Sequence, residues 1–383
     1  MGTTINEHFS RAAELYQAGN ARDAIQELQL AIEEDRCDIK AYVSLGTIYE
    51  VLRREEDAVA VYRKALRIDM DDPRANLRLG VILTHLKRYE EALTPLRMAY
   101  SNDQNNAKAA NALARALDES GDFDTAQIMY EKAIKLDPDL IDARFNLATL
   151  RFNEHKYESA ITQFVNYMVK AGESSRAHRN IGKALAQLGQ LDSALVSYNK
   201  ALALDSADQT IYFNMGLVYD KKGDYASAFA HYRKALDLDP RYVEARYTLA
   251  KSLRNGGHIE EAAREFQTVL KYAPEHHRAM NGLANCHLKQ HNHEGAVKML
   301  RQAIAIKPNF ALAHYNLGVA LRNVGFLEEA LHHFREASRL DPSDAASHQA
   351  AEATLNRTTH NLQLSQRVGP SMSYKLAGSV GVN

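Results

Sequence analysis

Side chains able to do chemistry are plentiful in this chain, and their spacing decides what chemistry is open to them. Eight histidines lie between residues 276 and 333: His276, His277, His287, His291, His293, His314, His332 and His333. His287 and His291 stand four apart. That spacing sets two imidazoles on one face of a helix, where they can hold a metal ion or change charge near neutral pH. His293-Glu294 opens like the helical zinc-protease motif, but Val297 occupies the place of its second histidine. His291-Asn292-His293 matches a nuclease triplet by letter, without the strand–strand–helix pattern that such a site needs. No phosphate loop of the GxxxxGKS type, no GxGxxG after a strand and no GxSxG elbow is found. The expectation is a protein that is not an enzyme and uses no cofactor. A histidine-dependent metal- or pH-responsive interaction module stands as one alternative.

Composition narrows the class further. The 383 residues include 45% hydrophobic and 25% charged side chains, ordinary for a folded soluble chain. A net charge of −1 and a pI near 7.0 remove any bulk basic field for nucleic acid or anionic lipid. Cys37 and Cys286 stand far apart with no CxxC, pointing to a reducing compartment and no disulfide framework. No run approaches the roughly 18–20 apolar residues of a bilayer span. The first residues also lack the apolar core of a signal peptide. A cytoplasmic protein that neither inserts into membranes nor binds nucleic acid is expected.

The strongest signal is periodic. Small residues recur every 34 positions at Ala12, Gly46, Gly80, Ala114, Ala148, Gly182, Gly216, Ala250, Ala284 and Gly318. A second small position is alanine throughout: Ala24, Ala58, Ala92, Ala126, Ala160, Ala194, Ala228, Ala262, Ala296 and Ala330. Fixed small positions in two amphipathic stretches imply close helix approach. A larger side chain there would overpack the contact, at a cost of roughly 1–3 kcal/mol. Apolar residues follow the i, i+3, i+4, i+7 rule, as in Tyr42, Leu45, Gly46 and Tyr49, then Ala58, Val61, Tyr62 and Ala65. Glycines such as Gly19, Gly121, Gly189, Gly223, Gly257 and Gly325 mark the turn inside each pair. Asp137-Pro138, Asp239-Pro240 and Asp341-Pro342 end second helices, because proline cannot continue the ladder. No window alternates with period two, so strands are not expected.

In residues 209–242 the pattern is Tyr212, Met215-Gly216, Tyr219, Gly223, Ala228, Tyr232, Ala235 and Pro240. It resembles the tetratricopeptide repeat (TPR), a helix–turn–helix unit. The resemblance runs without insertion through ten repeats: 5–38, 39–72, 73–106, 107–140, 141–174, 175–208, 209–242, 243–276, 277–310 and 311–344. It implies an all-α, right-handed superhelix (a TPR solenoid) with a capping helix at 345–366 and a flexible tail at 367–383. The ends differ from the middle, as a one-dimensional stack requires. Thr4-Ile-Asn-Glu7 fits a capping box, Arg11 replaces a large apolar residue, and Glu352 falls on the small-residue position. Repeat five is irregular, with Arg151 and Tyr167 at positions otherwise apolar or small, and no proline at its exit. A degenerate repeat and a hinge between 5–172 and 175–344 are both open.

For function, the resemblance implies a ligand groove lined by the first helix of each repeat. Asn146, Asn180, Asn214 and Asn316 share one groove position. They resemble the amide ladder in the TPR arm of O-linked N-acetylglucosamine transferases, which grips an extended peptide backbone. One amide both donates and accepts, so it can hold backbone without reading sequence. The preceding position supplies Phe9, Phe145, Phe213, Tyr247 and Tyr315, which are interface anchors if exposed and core if packed between helices. Positive groups gather earlier: Lys40, Arg74, Arg78, Lys108, Arg115, Arg176, Arg179 and Lys183, with Asn111 among them. Arg74 and Arg78 match the last basic pair of the two-carboxylate clamp of chaperone-binding TPR domains. Phe9, Ala13 and Ser44 stand where that clamp has Lys, Asn and Asn, so the full clamp is absent. An anionic-peptide subsite in repeats two to six remains, since arginine can chelate a carboxylate. The expected function is a non-enzymatic scaffold or adaptor that binds a protein or peptide, including one with an acidic segment, and supports complex assembly. A substrate-recognition arm for a separate glycosyltransferase is the second reading. Exposed repeat ends leave self-association open.

Overall fold

Helix boundaries in the computed structural model, which describes residues 4–367, follow local sequence signals repeat by repeat. The described residues form 21 helices and no strand. They belong to two compact units that divide between Leu204 and Asp205. The first unit holds α1 (Thr4–Gln17), α2 (Ala21–Glu34), α3 (Ile39–Val51), α4 (Glu55–Ile68), α5 (Pro73–His85) and α6 (Tyr89–Asn102). It continues with α7 (Ala107–Ser120), α8 (Phe123–Leu136), α9 (Ile141–Asn153), α10 (Tyr157–Ala171), α11 (Ser175–Gln187) and α12 (Leu191–Leu204). The second unit holds α13 (Gln209–Lys222), α14 (Tyr225–Leu238), α15 (Val243–Asn255), α16 (Ile259–Tyr272) and α17 (His277–Lys289). It ends with α18 (His293–Ile306), α19 (Ala311–Val324), α20 (Leu327–Leu340) and α21 (Ala345–Arg367).

Short polar residues start many of these helices. Asp38, Asp72, Asn106, Ser174 and Asp208 each accept a backbone N–H two or three residues ahead, supplying partners that the first turn lacks. Pro73 follows Asp72 at the first helical position, where its missing N–H costs nothing. The next residue to act is the fourth of the repeat. Arg144, Arg246 and His314 hydrogen-bond the carbonyls of Pro138, Pro240 and Pro308, six residues earlier, and so tie each first helix to the loop that enters it.

Packing inside each pair is set by one complementary contact. The small residue on the first helix faces a large residue sixteen positions later on the second: Gly46 meets Tyr62, Gly80 meets Leu96, Gly216 meets Tyr232 and Gly318 meets Phe334. A Cβ at Gly216 would stand 2.5 Å from the Tyr232 ring, closer than any real contact. The second-helix alanines Ala24, Ala58, Ala92, Ala126, Ala160, Ala194, Ala228, Ala262, Ala296 and Ala330 are all fully buried. Ion pairs on the outer surface, such as Arg63–Glu91 and Arg301–Glu329 at 2.7 Å, are exposed and contribute little beside this packing.

Repeat five keeps to the plan. Arg151 is held by Gln127 at 2.7 Å and by Glu131 and Glu154 at 3.4 Å each, and Tyr167 packs edge-on against Phe145 at 5.2 Å. α10 and α11 lie in one unit, so the division falls a repeat later than the sequence irregularity at 172–175. At the ends, Arg11 is solvated and pairs with Glu27 at 3.4 Å, and Glu352 is exposed on α21. The tail after Arg367 and the Thr4 side chain of the capping box lie outside the described residues.

The turn inside every pair needs a left-handed residue, and not only where glycine marks it. Arg53, Lys87, His155 and His291 hold φ of 59°, 60°, 60° and 58° at the position that Gly121 and Gly325 occupy elsewhere. A non-glycine residue there carries roughly 1–2 kcal/mol of backbone strain. Lys87→Gly is therefore expected to stabilise by roughly 0.5–1 kcal/mol, the relieved strain outweighing glycine's added unfolded-state entropy. Gly121→Ala is expected to do the reverse. Urea midpoints read by circular dichroism check both, and equal midpoints for Lys87→Gly and the parent chain would sink the account.

Candidate partner-binding groove

In the first unit the first helices of successive repeats touch one another, α3 to α5, α5 to α7, α7 to α9 and α9 to α11. Two adjoining cavities open along α5, α7, α9 and α11. The first, of about 380 Å³, is lined by Leu77, Arg78, Val81, Thr84, Lys108, Asn111, Ala112, Arg115, Leu140 and Asp142. The second, of about 420 Å³, shares Asn111, Arg115 and Asp142 and adds Asp118, Glu119, Tyr130, Phe145, Asn146, Thr149, Tyr167 and Arg176. The shared residues make one groove of the two.

Seven residues singled out in the sequence meet here: Arg78, Lys108, Asn111, Arg115, Phe145, Asn146 and Arg176. Arg78 reaches Glu50 at 3.4 Å, while Lys108 and Arg115 enter no ion pair or hydrogen bond among the described residues. Phe145 is half-buried, edge-on to Phe164 at 5.3 Å, with the Arg176 guanidinium 4.5 Å above its ring. That stack holds Arg176 over an aromatic face, an attraction that leaves its outer N–H groups in solvent. The Asn146 amide donates to Asn111 Oδ1 at 3.3 Å, so it bridges two helices. Arg74 is exposed beside Asp72 and lines neither cavity, and Arg179 and Asn180 are half-buried outside both.

In the second unit the aromatics of the same position repeat the Phe145–Phe164 contact. Phe213 packs between Tyr232 at 5.9 Å and Tyr242 at 5.3 Å, Tyr247 against Phe266 at 5.9 Å, and Tyr315 against Phe334 at 5.7 Å. These rings lean on the second helix of their own repeat, as Phe145 leans on Phe164, and are half-buried like it. Asn316 is buried and its amide donates to Asn281 at 2.8 Å. Asn214 is buried with its amide nitrogen unpartnered. A row of four free amides is therefore not what these positions build: two of the four donate within the fold.

The histidines do not form the helical pair that the spacing of His287 and His291 implies. α17 ends at Lys289 and His291 sits in the left-handed turn beyond it, so His287 and His291 do not share a helical face. His276 caps α17 by accepting the Ala279 N–H and lies 4.9 Å from Tyr247. His314 and His333 approach at 3.0 Å between their Nδ1 atoms, and burial, followed by the charges of His314 and His332, pushes His333 down to about 4. Among the described residues no three His, Cys, Asp or Glu side chains are grouped to hold a metal ion. Burial likewise pushes the Cys286 thiol up to about 11, away from reactivity.

Sequence reading missed Asp118, Glu119 and Asp142. For Asp118 the available signal was an acid twelve residues before a buried tyrosine: Glu50 with Tyr62, Asp118 with Tyr130, Asp220 with Tyr232. Burial, together with Glu119 and Glu154, pushes the Asp118 carboxyl up to about 6.

These features define a class: helix pairs on a fixed period, stacked so that their first helices expose a shared polar face. The chain belongs to the tetratricopeptide repeat family. Family models described as TPR or tetratricopeptide repeat match residues 9–73, 52–117, 107–150, 182–223, 210–242, 247–311 and 311–344. The chain is 35% identical over 77 residues to anaphase-promoting complex subunit 3 of Dictyostelium discoideum. It is 35% identical over 82 residues to stress-induced-phosphoprotein 1 of Caenorhabditis elegans. The matched stretches are 20% and 21% of this chain, and only 8% and 25% of those relatives. Among solved structures, the APC/C hetero-tetramer Cut9-Hcn1 is similar at a TM-score of 0.51 and 13% identity, over 91% of this chain and 83% of that one. A tetratricopeptide repeat protein from Parabacteroides merdae is similar at 0.50 and 18% identity, over 66% and 99%. At such identities the likeness shows the fold alone. No helix among the described residues is long and apolar enough to cross a membrane.

Two shifted groups give opposite pH behaviour. His333 has a folded value near 4 against an ordinary 6.5, so acid loads the unfolded chain with a proton first. Its contribution is complete above pH 6.5 and is lost as pH falls toward 4. His333→Met, a residue already found in register at Met129 and Met299, is expected to lose less stability between pH 7 and 4.5, by on the order of 2 kcal/mol. An unchanged pH slope of the urea midpoint would contradict this. Asp118 has a raised value, so its contribution is present below the ordinary carboxylate range and is lost as pH rises through about 6. Asp118→Asn is expected to raise the urea midpoint at pH 7.5 and to have less effect at pH 4.5; a lowered midpoint at pH 7.5 would count against it.

Proposed function

We propose that this chain is a non-enzymatic scaffold whose first unit captures an extended acidic segment of a partner protein along α5, α7, α9 and α11. The observation that carries the reading is the first cavity. Arg78, Lys108 and Arg115 stand around a space of about 380 Å³, with Asp142 on the same lining, and neither Lys108 nor Arg115 enters an ion pair among the described residues. Unpaired cations at a concave, half-dry surface attract carboxylates more strongly than the same groups on a flat one, because field lines are focused there. Arginine adds planar, bidentate hydrogen bonding to that attraction. Leu77, Val81 and Leu140 supply apolar wall for the methylenes of the bound side chains. The two relatives are a subunit of the anaphase-promoting complex and a stress-induced phosphoprotein, and a role for this chain in assembling protein complexes accords with the first.

A fluorescein-labelled decapeptide carrying an Asp-Glu pair in a Gly/Ser background tests the reading by anisotropy. Lys108→Glu with Arg115→Glu is expected to weaken its binding at least about tenfold, as loss of charge-assisted contacts should. Affinity for the parent chain is expected to fall as salt is raised from 50 to 300 mM. Equal affinity for parent and double variant, with helicity unchanged, would remove the acidic-capture mechanism.

A further inference from the structure

Three buried tyrosines donate to an acid on the first helix of their own repeat, and in two of them the next repeat completes the acid's shell. Glu50 receives Tyr62 and also Arg78, the latter at 3.4 Å. Asp220 receives Tyr232 at 2.7 Å and also the Ser252 hydroxyl. Asp118 has Tyr130 alone, at 3.5 Å. The next repeat offers it nothing: Asn146, in register with Arg78, is turned to Asn111, and Leu150, in register with Ser252, is a buried aliphatic. A carboxylate has room for about four hydrogen bonds. Asp118 is thus short of donors, and the open side of its shell is the groove.

The surroundings say what kind of donor is missing. On its own helix Asp118 has Glu119 and Arg115; α8 contributes Tyr130; α9 contributes Asp142, with Glu154 just beyond its end; α11 contributes Arg176. Neither arginine bonds Asp118, and Arg176 is held over the Phe145 ring. Repulsion from Glu119 and Glu154 adds to burial; Glu154 is already paired with Arg151 and Lys156, whereas Asp118 has no cationic partner among the described residues and an incoming cation would relieve it. Tyr130, Phe145 and Tyr167 line the same cavity and offer aromatic walls to a long aliphatic stem with a charged end.

We propose that Asp118 receives a lysine or arginine side chain of the bound partner, so that the groove selects a segment bearing a basic residue near its acidic one. This rests on the acidic-capture reading and makes it more specific. The two cavities lie on neighbouring first helices, about 8–10 Å apart. An extended chain advances about 3.3 Å per residue. The basic residue therefore stands about three positions from the acidic residue held by Arg78, Lys108 and Arg115.

The test uses the full chain and labelled decapeptides with an Asp-Glu pair and, three residues before or after it, either arginine or its neutral isostere citrulline. For the parent chain at pH 7.5, one of the two arginine peptides is expected to bind about tenfold tighter than its citrulline partner. With Asp118→Asn that ratio is expected to fall to about one while citrulline-peptide affinity is kept. A second reading needs no variant. Lowering the pH to 5 protonates Asp118 and leaves the peptide acids ionised, so the ratio is expected to collapse in the parent chain as well. A ratio of one for the parent in both placements, a ratio that survives Asp118→Asn, or one that persists at pH 5 overturns the assignment. Failure of the citrulline peptides to bind at all overturns instead the acidic-capture reading on which it rests.

Discussion

Every repeat depends on one contact, that of a glycine or alanine on the first helix with a tyrosine, phenylalanine or leucine on the second. The pairing brings the backbone of one helix onto the ring of its neighbour, and a Cβ at Gly216 leaves no room for Tyr232 where it stands. Tyr62, Tyr130, Tyr198, Tyr232, Phe164, Phe266 and Phe334 are almost entirely buried by it. Where the small residue is glycine, at Gly46, Gly80, Gly182, Gly216 and Gly318, the contact is direct, and the helix pairs are held by shape and desolvation. Surface ion pairs trim their outside and decide little.

Function on this scaffold comes from what that contact leaves over. Fixing the second-helix tyrosine also fixes its hydroxyl, which must find an acceptor when buried. At Tyr62, Tyr130 and Tyr232 an acid twelve residues earlier supplies it, and that acid is then a permanent feature of the first helix. Where the following repeat answers with Arg78 or Ser252, the acid is a closed structural element. Where the following repeat answers with Leu150, the acid stays open. A carboxyl held near 6 beside other acids is costly for the fold, and costs of that kind gather at sites that serve a ligand.

The helices, their caps and the turns were legible residue by residue. Asp72-Pro73 reads as a helix start, and Gly223 as the left-handed end of α13. Less legible was that Arg53, Lys87, His155 and His291 would take the same left-handed turn, since the ordinary preference of such residues argues against it. Packing on both sides overrides the local preference there. His291 shows the consequence for function, because a pair read as one helical face proved to straddle a helix end. Among candidate groove residues, periodicity could name a position but not its direction. Phe145, Phe213, Tyr247 and Tyr315 all lean onto their own second helices, and Phe145 in addition lines a cavity.

By itself the sequence determined the repeat length, the register and the fixed small positions, because those are one-dimensional rules enforced by steric exclusion at every period. It also placed Arg78, Lys108 and Arg115 close enough in register to suspect a shared anion subsite. Only the tertiary structure decided which charges are already answered. Arg78 is partly occupied by Glu50, Asn146 and Asn316 are occupied by Asn111 and Asn281, and Asp118 is not matched by its next repeat. Whether a polar group is free depends on atoms 28 to 35 residues away, across a helix contact. A repeat pattern written in single positions does not carry that information.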